Sequence, residues 1–152
     1  MPAQAPTPDP IQVRFLTHHD IPGLLELWRA ANLSIRPAGR EHPARLAREL
    51  SLYPRNFMGA FDGERLVGAL IATWDGRRGW INRLAVHPEA RRRGLASQLI
   101  AAAEAELKSR GALVIAALVD PGNGPSLSLF SASGYRDVPR AVFLSKRDGP
   151  DV

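Results

Sequence analysis

The sequence predicts a single mixed α/β domain, and three observations carry that prediction. Short apolar runs separated by Asp-Gly pairs point to antiparallel strands. A four-residue apolar repeat between two further apolar runs points to one strand-helix-strand crossover, which is right-handed by rule. A length of 152 residues suits one core rather than two.

Residues 11–16 alternate well enough for a strand. Thr17, with Asp20 three residues later, offers a helix start ahead of Ile21, Leu24, Leu25 and Trp28. After a loop rich in Arg, Pro and Gly over 33–42, Pro43 suits a first helical position, and Leu46 and Leu50 give a short apolar stripe that stops before Pro54. Residues 57–61 and 65–73 flank Asp62-Gly63, and Asp75-Gly76 with Gly79 precedes 80–86; two turns thus join three strands into an antiparallel meander. From Gly94 the pattern becomes helical, through Leu95, Leu99, Ala103 and Leu107 to a stop at Gly111. The unbroken apolar run 113–119 predicts a strand buried on both faces and parallel to 80–86. Pro125 opens another helix through Leu127, Leu129 and Phe130 to Gly134, and 141–146 predicts a final strand.

Composition narrows the function classes. An apolar share of 45% with 23% charge excludes wholesale disorder, and no stretch reaches the roughly 20 apolar residues that a membrane span needs. The absence of cysteine removes disulfides, thiolate metal sites and thiol nucleophiles together. The net charge is +5, and 18 of the 20 basic residues are arginine, which favours an anionic partner. Residues 1–10 contain four prolines and no basic start or apolar core, so they predict a flexible extension rather than a signal peptide, and a cytoplasmic protein. The folded body is expected over 11–147, with a flexible tail at 148–152. His18, His19, His42 and His87 lack ligand spacing, and no metal site is predicted.

The informative segment joins the third meander strand to the long helix: Val86-His87-Pro88-Glu89-Ala90-Arg91-Arg92-Arg93-Gly94-Leu95-Ala96-Ser97. Three arginines run into a helix N-terminus, where unpaired N–H groups and the positive dipole end favour an anion, and Gly94 lets a phosphate approach the main chain. The segment lacks the Gly-Lys-Ser/Thr ending of a P-loop and the later glycines of a dinucleotide fingerprint.

Arg91-Arg92-Arg93-Gly94-Leu95-Ala96 resembles the Gln/Arg-x-x-Gly-x-Gly/Ala signature of the GNAT-type N-acetyltransferases. Leu84-Ala85-Val86-His87-Pro88-Glu89 resembles the preceding strand of that superfamily, and Asn123, Phe130, Gly134 and Tyr135 resemble its downstream pattern. The similarity spans about 11–146, and the turn Asp75-Gly76-Arg77-Arg78-Gly79 is similar to that of a small bacterial YpeA-like branch.

The resemblance implies a mostly antiparallel sheet with a central parallel β-α-β splay, flanking helices, and acetyl-CoA as co-substrate in the splay without a metal. It implies that main-chain groups of Leu84, Ala85 and Val86 pair with the pantetheine arm. Backbone N–H groups over Arg91, Arg92, Arg93, Gly94, Leu95, Ala96 and Ser97 would hold the pyrophosphate, an N–H near Leu84 or Ala85 would polarise the thioester carbonyl, and Asn123 and Phe130 would border the cofactor. The acceptor implied is a primary amine on a small molecule or on a peptide or protein; homodimers are frequent in the superfamily.

This chain departs from the pattern at both usual catalytic positions. The tyrosine that protonates the leaving thiolate is replaced by Phe130, with Ser128 and Ser131 the nearest hydroxyls in sequence, and the usual strand carboxylates by Asn82 and Arg83, so the acid and base are unassigned. Asn82, placed by alternation on the face of Trp80 and Leu84, is either a bonded core residue or an acceptor contact. Trp28 fits the core of the first helix, and with Arg36 of the following loop it is also a candidate acceptor contact, because that region shapes the acceptor site in the superfamily. Leu118 replaces the Glu that some ribosomal-protein acetyltransferases carry five residues before the Asn, which argues against that acceptor. Three classes follow: an acetyl-CoA-dependent N-acetyltransferase, an acyl-CoA-binding relative that does not turn over, and a basic nucleic-acid-binding module. The third lacks a basic stripe interleaved with aromatics, so nucleic acid is disfavoured.

Overall fold

The structure is a computed structural model that describes residues 2–4 and 10–152. Residues 1 and 5–9 of the expected N-terminal extension lie outside the described residues. Among the described residues, five strands form one sheet in the order β1-β2-β3-β4-β5. Strands β1 (Gln12–Phe15), β2 (Phe57–Asp62), β3 (Arg65–Trp74) and β4 (Gly79–Val86) each pair antiparallel with the next, and β5 (Ile115–Ala117) is parallel to β4.

Period-2 alternation sorts the side chains of the sheet. Phe57, Phe61 and Ala69 pack with helices α1 (Ile21–Ala30) and α2 (Pro43–Leu52) on one face. Met58, Ala60, Leu70, Ala72 and Ile81 pack with α3 (Leu95–Ser109) and α4 (Gly124–Ala132) on the other. Leu99, Ile100 and Leu107 of α3 are essentially inaccessible, and each stabilises the fold by about 1.5–3 kcal/mol. Close seating of α3 depends on Gly79, where a Cβ would come within 2.7 Å of Leu107.

The helix starts use local side chains. The Asp20 carboxylate accepts from the Thr17 backbone N–H at 2.7 Å and pairs with Arg14 at 2.9 Å, closing a box over the 3-10 turn His18–Asp20 that leads into α1. Two His-Pro pairs act alike: Nδ1 of His42 accepts from Ala44 N–H ahead of α2, and Nδ1 of His87 accepts from Glu89 N–H in the turn Pro88–Ala90. Asp75 accepts from the N–H groups of Arg77 and Arg78 and from the Trp80 indole; these bonds, that in the Arg78 turn foremost, hold its carboxyl down to about 2.

Two expectations fail at the C-terminal side of the sheet. The run 113–119 forms a strand over only Ile115–Ala117, and it is half-buried rather than covered on both faces; Leu113 is 96% exposed. The helices seat on β2, β3 and β4 and leave β5 at the margin. Residues 141–146 form no strand, and among the described residues β5 is the edge of the sheet. Within 148–152, the Pro150 carbonyl accepts from Arg36 Nη1 of the α1–α2 loop at 2.6 Å.

Candidate functional site

The site is built where β4 and β5 part. Their pairing covers Gly79–Ile115, Trp80–Ala116 and Ile81–Ala117 and then ends, although β4 continues to Val86. Beyond Ile81, β4 still pairs with β3 through Ala85–Ala69 and Val86–Gly68, so its other edge presents main-chain donors and acceptors to a cleft of about 270 Å³. Ile81, Leu84 and Val119 give the cleft apolar walls, and Asn82, Asp120 and Asn123 give it polar groups.

A bulge sits in this open stretch. Ala69 pairs with Ala85 and Ile71 with Asn82, so Arg83 and Leu84 together oppose Leu70 alone. Arg83 takes the left-handed conformation, with φ 56°, at a cost of about 1–2 kcal/mol for a residue with a side chain. The bulge corrects one sequence expectation: the extra residue breaks alternation, so Leu84 packs on the α3 side with Ile81 while Asn82 is on the opposite face. Nothing in a single sequence marks such an insertion.

At the end of β4 the chain turns through Arg91–Gly94 into α3. Arg92 and Gly94 are both left-handed, with φ 64° and 73°. Gly94 is the N-cap and has no side chain with which to satisfy the first turn, so the N–H groups of Leu95, Ala96 and Ser97 have no intrahelical acceptor; Gln98 makes the first such bond, to Gly94 O. Arg91 to Gly94 and Ser97 are exposed, and a Cβ on Gly94 would meet nothing within 4 Å. These open donors at the positive dipole end suit the oxygens of a diphosphate. Two of the three arginines are held in place: Arg91 Nε donates to Val86 O, and Arg93 pairs with Asp62 at 3.0 Å.

Helix α4 closes the other side. Asn123 is its N-cap, accepting from Ser126 N–H at 3.2 Å, and both residues line the cleft. Phe130 is 6% exposed and belongs to the core while its ring borders the cleft. Ser126 lies four residues before Phe130 on the same helix face, so it supplies the hydroxyl nearest that ring's side of the cleft, whereas Ser128 and Ser131 do not line it. Tyr135 meets Phe130 edge-on at 5.1 Å; its hydroxyl is buried without a partner, and burial, then the charge of Glu104, pushes its phenol up to about 12. Asp120 is the carboxylate missed from the sequence. It lies just past the parting point, its Oδ1 accepting from Gly122 N–H at 2.7 Å, and the Asp-Pro-Gly turn was the signal available.

Side chains from distant segments shape the third side. The Arg83 guanidinium lies 4.6 Å from the Trp28 ring centre, donates to Ser34 O at 2.7 Å and stands 3.7 Å from Glu41. Its Nε and Nη2 have no hydrogen-bond partner, and burial lowers its pKa. Glu41 is buried and accepts from Arg36 N–H; burial and the nearby Glu41 raise the pKa of Glu49. Trp28, at 1% exposure, is a core residue, and its ring lies against the Arg83 guanidinium. The Arg36 guanidinium is committed to Pro150, outside the cleft lining.

Comparison with known proteins adds four findings. A family described as the acetyltransferase (GNAT) family matches residues 21–135, from the start of α1 to Tyr135. An acetyltransferase of Sodalis glossinidius (strain morsitans) is 30% identical over 137 residues, covering 90% of this chain and 95% of that protein. The PaiA N-acetyltransferase of Thermoplasma acidophilum, solved with coenzyme A, shares the fold at a TM-score of 0.75 and 21% identity, covering 84% of this chain and 91% of its own. The aminoglycoside N-acetyltransferase AAC(6')-Iy, solved with CoA, does so at 0.74 and 19%, covering 94% and 99%.

Proposed function

This chain belongs to the acetyltransferase (GNAT) family, and from that membership we propose that it moves an acetyl group from acetyl-CoA to a primary amine by direct attack on the thioester. One observation carries the reading: the free edge of β4 beyond Ile81 is followed, after the turn 87–94, by the uncapped N-terminus of α3. An extended arm with amide groups fits the edge, and the diphosphate at its end fits the N–H groups of Arg92 to Ser97. The likeness to an aminoglycoside acetyltransferase supports an amine acceptor, on a small molecule or a peptide. The Asp75–Gly79 turn supports the narrower YpeA-like branch.

Chemistry is assigned to this chain's groups as follows. Main-chain groups of Leu84, Ala85 and Val86 bind and orient the pantetheine arm. The bulge at Arg83 and Leu84 turns one N–H out of the β3 ladder, towards the thioester carbonyl, where it stabilises the negative charge that grows on oxygen as the amine attacks. Asp120, as the carboxylate lining the cleft, takes a proton from the acceptor's ammonium and leaves the neutral amine that attacks. The C–N bond forms, the C–S bond breaks, and the thiolate departs; with a thiol pKa of about 8.5 it needs little help near neutral pH, and the Ser126 hydroxyl can supply a hydrogen bond.

Phe130 favours a second reading, an acyl-CoA-binding relative with no turnover, because a buried ring replaces the expected proton donor. Nucleic acid binding loses support because Arg91 and Arg93 are engaged within the chain. The test is release of CoA thiol from acetyl-CoA against a panel of primary amines, with the native chain and Asp120→Asn. Turnover that drops at least tenfold in the variant, at unchanged KM for acetyl-CoA, is expected. Binding without turnover of any amine selects the second reading, and an unaffected variant removes Asp120 from the mechanism.

A further inference from the structure

One cation of the cleft is held with most of its bonds unmade. Arg83 takes the left-handed conformation, φ 56°, at the bulge in β4, and its side chain borders the cleft with 22% of its surface open. Nη1 donates to Ser34 O at 2.7 Å, whereas Nε and Nη2 are buried and donate to no acceptor among the described residues. Oε1 of Glu41 stops 3.7 Å from Nη2, and Oε2 of the same carboxylate accepts from Arg36 N–H at 2.7 Å. The Trp28 ring, 4.6 Å away, covers the guanidinium but offers it only a π face. A strained backbone, buried donors without acceptors and a loosely paired charge all oppose folding, and such features persist where a ligand makes use of them.

The opposite charge stands across the same space. The last β4–β5 pair is Ile81–Ala117; two residues further along β4 comes Arg83, and three residues further along the other chain segment comes Asp120. Both border the cleft of about 270 Å³, and its other polar residues, Asn82, Asn123 and Ser126, are uncharged. Building on the acetyl transfer proposed above, we propose that its acceptor is an amine that also carries a separate anionic group, a carboxylate or a phosphate, and that Arg83 binds that group. The ammonium of such a molecule lies towards Asp120 and the anion towards Arg83. The anion meets the open part of the guanidinium and brings the counter-charge that Glu41 supplies only from 3.7 Å. Bonds from a guanidinium to an oxyanion are charge-assisted, and the cover given by Trp28 strengthens them by keeping water away. Arg36 does not share the task, because its guanidinium is committed to Pro150 O.

Matched amines with and without the anion test the assignment: β-alanine against β-alaninamide and para-(aminomethyl)benzoate against its amide for the carboxylate, phosphoethanolamine against ethanolamine for the phosphate. With acetyl-CoA, the native chain should give a kcat/KM about tenfold or more higher for the anionic member of at least one pair, since a site with a donor waiting for a group rejects the analogue that lacks it. The pair with the larger ratio identifies the anion. In Arg83→Gln the ratio should fall to about one; both members meet the same variant, so any general loss from the altered bulge cancels. Glu41→Gln keeps an acceptor for Arg36 N–H while removing the competing charge, and should raise the ratio. Calorimetry of the same pairs with the CoA-saturated chain reads the preference without turnover. Preferential binding of the anionic member that is lost in Arg83→Gln, with no turnover of any amine, upholds the Arg83 site and removes acetyl transfer. Turnover of neutral and anionic members alike overturns the proposal and leaves acetyl transfer standing. A preference absent from both assays, or one that moves in neither variant, also overturns it.

Discussion

The two halves of the cleft are built from different materials. The half running from β4 into α3 offers backbone: an unpaired strand edge, two left-handed residues at Arg92 and Gly94, and a helix start with no capping side chain. The half beneath the α1–α2 loop offers side chains that already hold one another, with Trp28 under Arg83, Ser34 O and Glu41 around its guanidinium, and Arg36 taken up by the tail. A backbone site can recognise a ligand common to many enzymes, because it tolerates most side chains. A side-chain site changes with each substitution, and under the proposed function it is the half assigned to acceptor choice.

Trp28→Ala should break the second half and spare the first. Removing a fully buried indole that also supports Arg83 should destabilise the fold by about 3–5 kcal/mol. The folded fraction should bind acetyl-CoA as the native chain does; urea unfolding and calorimetry read the two quantities separately, and equal losses in both would erase the distinction between halves. Arg92→Ala should act in the opposite sense. Arg92 is exposed, so stability should move by less than about 0.5 kcal/mol. Acetyl-CoA affinity should fall several-fold at low salt and by less at high salt, since one screened charge is lost. A loss independent of salt would assign Arg92 a conformational role instead.

How legible each half was follows from the same contrast. The turn and uncapped helix start over Arg91 to Ser97 were legible because they need glycine and fixed turns at fixed spacing, and those leave a sequence pattern. The Arg83 cluster could not, because Ser34 and Glu41 reach it from 49 and 42 positions away. The bulge that sets Arg83 there left no sign, and without it alternation misassigned Asn82 relative to Leu84. The strands and helices over 12–109 followed from turn signals and apolar period. The run 113–119 misled because an uninterrupted apolar stretch reads as doubly buried, whereas an edge strand that parts from its neighbour exposes Leu113 and Leu118.

The smallest expected effect concerns the back of the cofactor half. The Tyr135 phenol is pushed up from 10.0 to about 12 in the folded chain, so the native state retains a proton that the unfolded chain releases first. The associated stability is complete below about pH 10 and is lost as pH rises through about 12. Tyr135→Phe should flatten the stability profile in that window while binding acetyl-CoA normally at neutral pH. An unchanged alkaline profile would mean that the phenol is better solvated than its buried, unpartnered oxygen indicates.

The most direct test of the central claim is titration calorimetry of acetyl-CoA against the native chain and Gly94→Trp. Gly94 sits at φ 73° with open space where a side chain would project, so the substitution costs about 1–2 kcal/mol of backbone strain and places an indole over the N–H groups of α3. Micromolar binding by the native chain and none by a folded variant is the predicted result. A native chain that does not bind, or a variant that binds equally well, would contradict the assignment of the open β4 edge and the α3 N-terminus to acetyl-CoA.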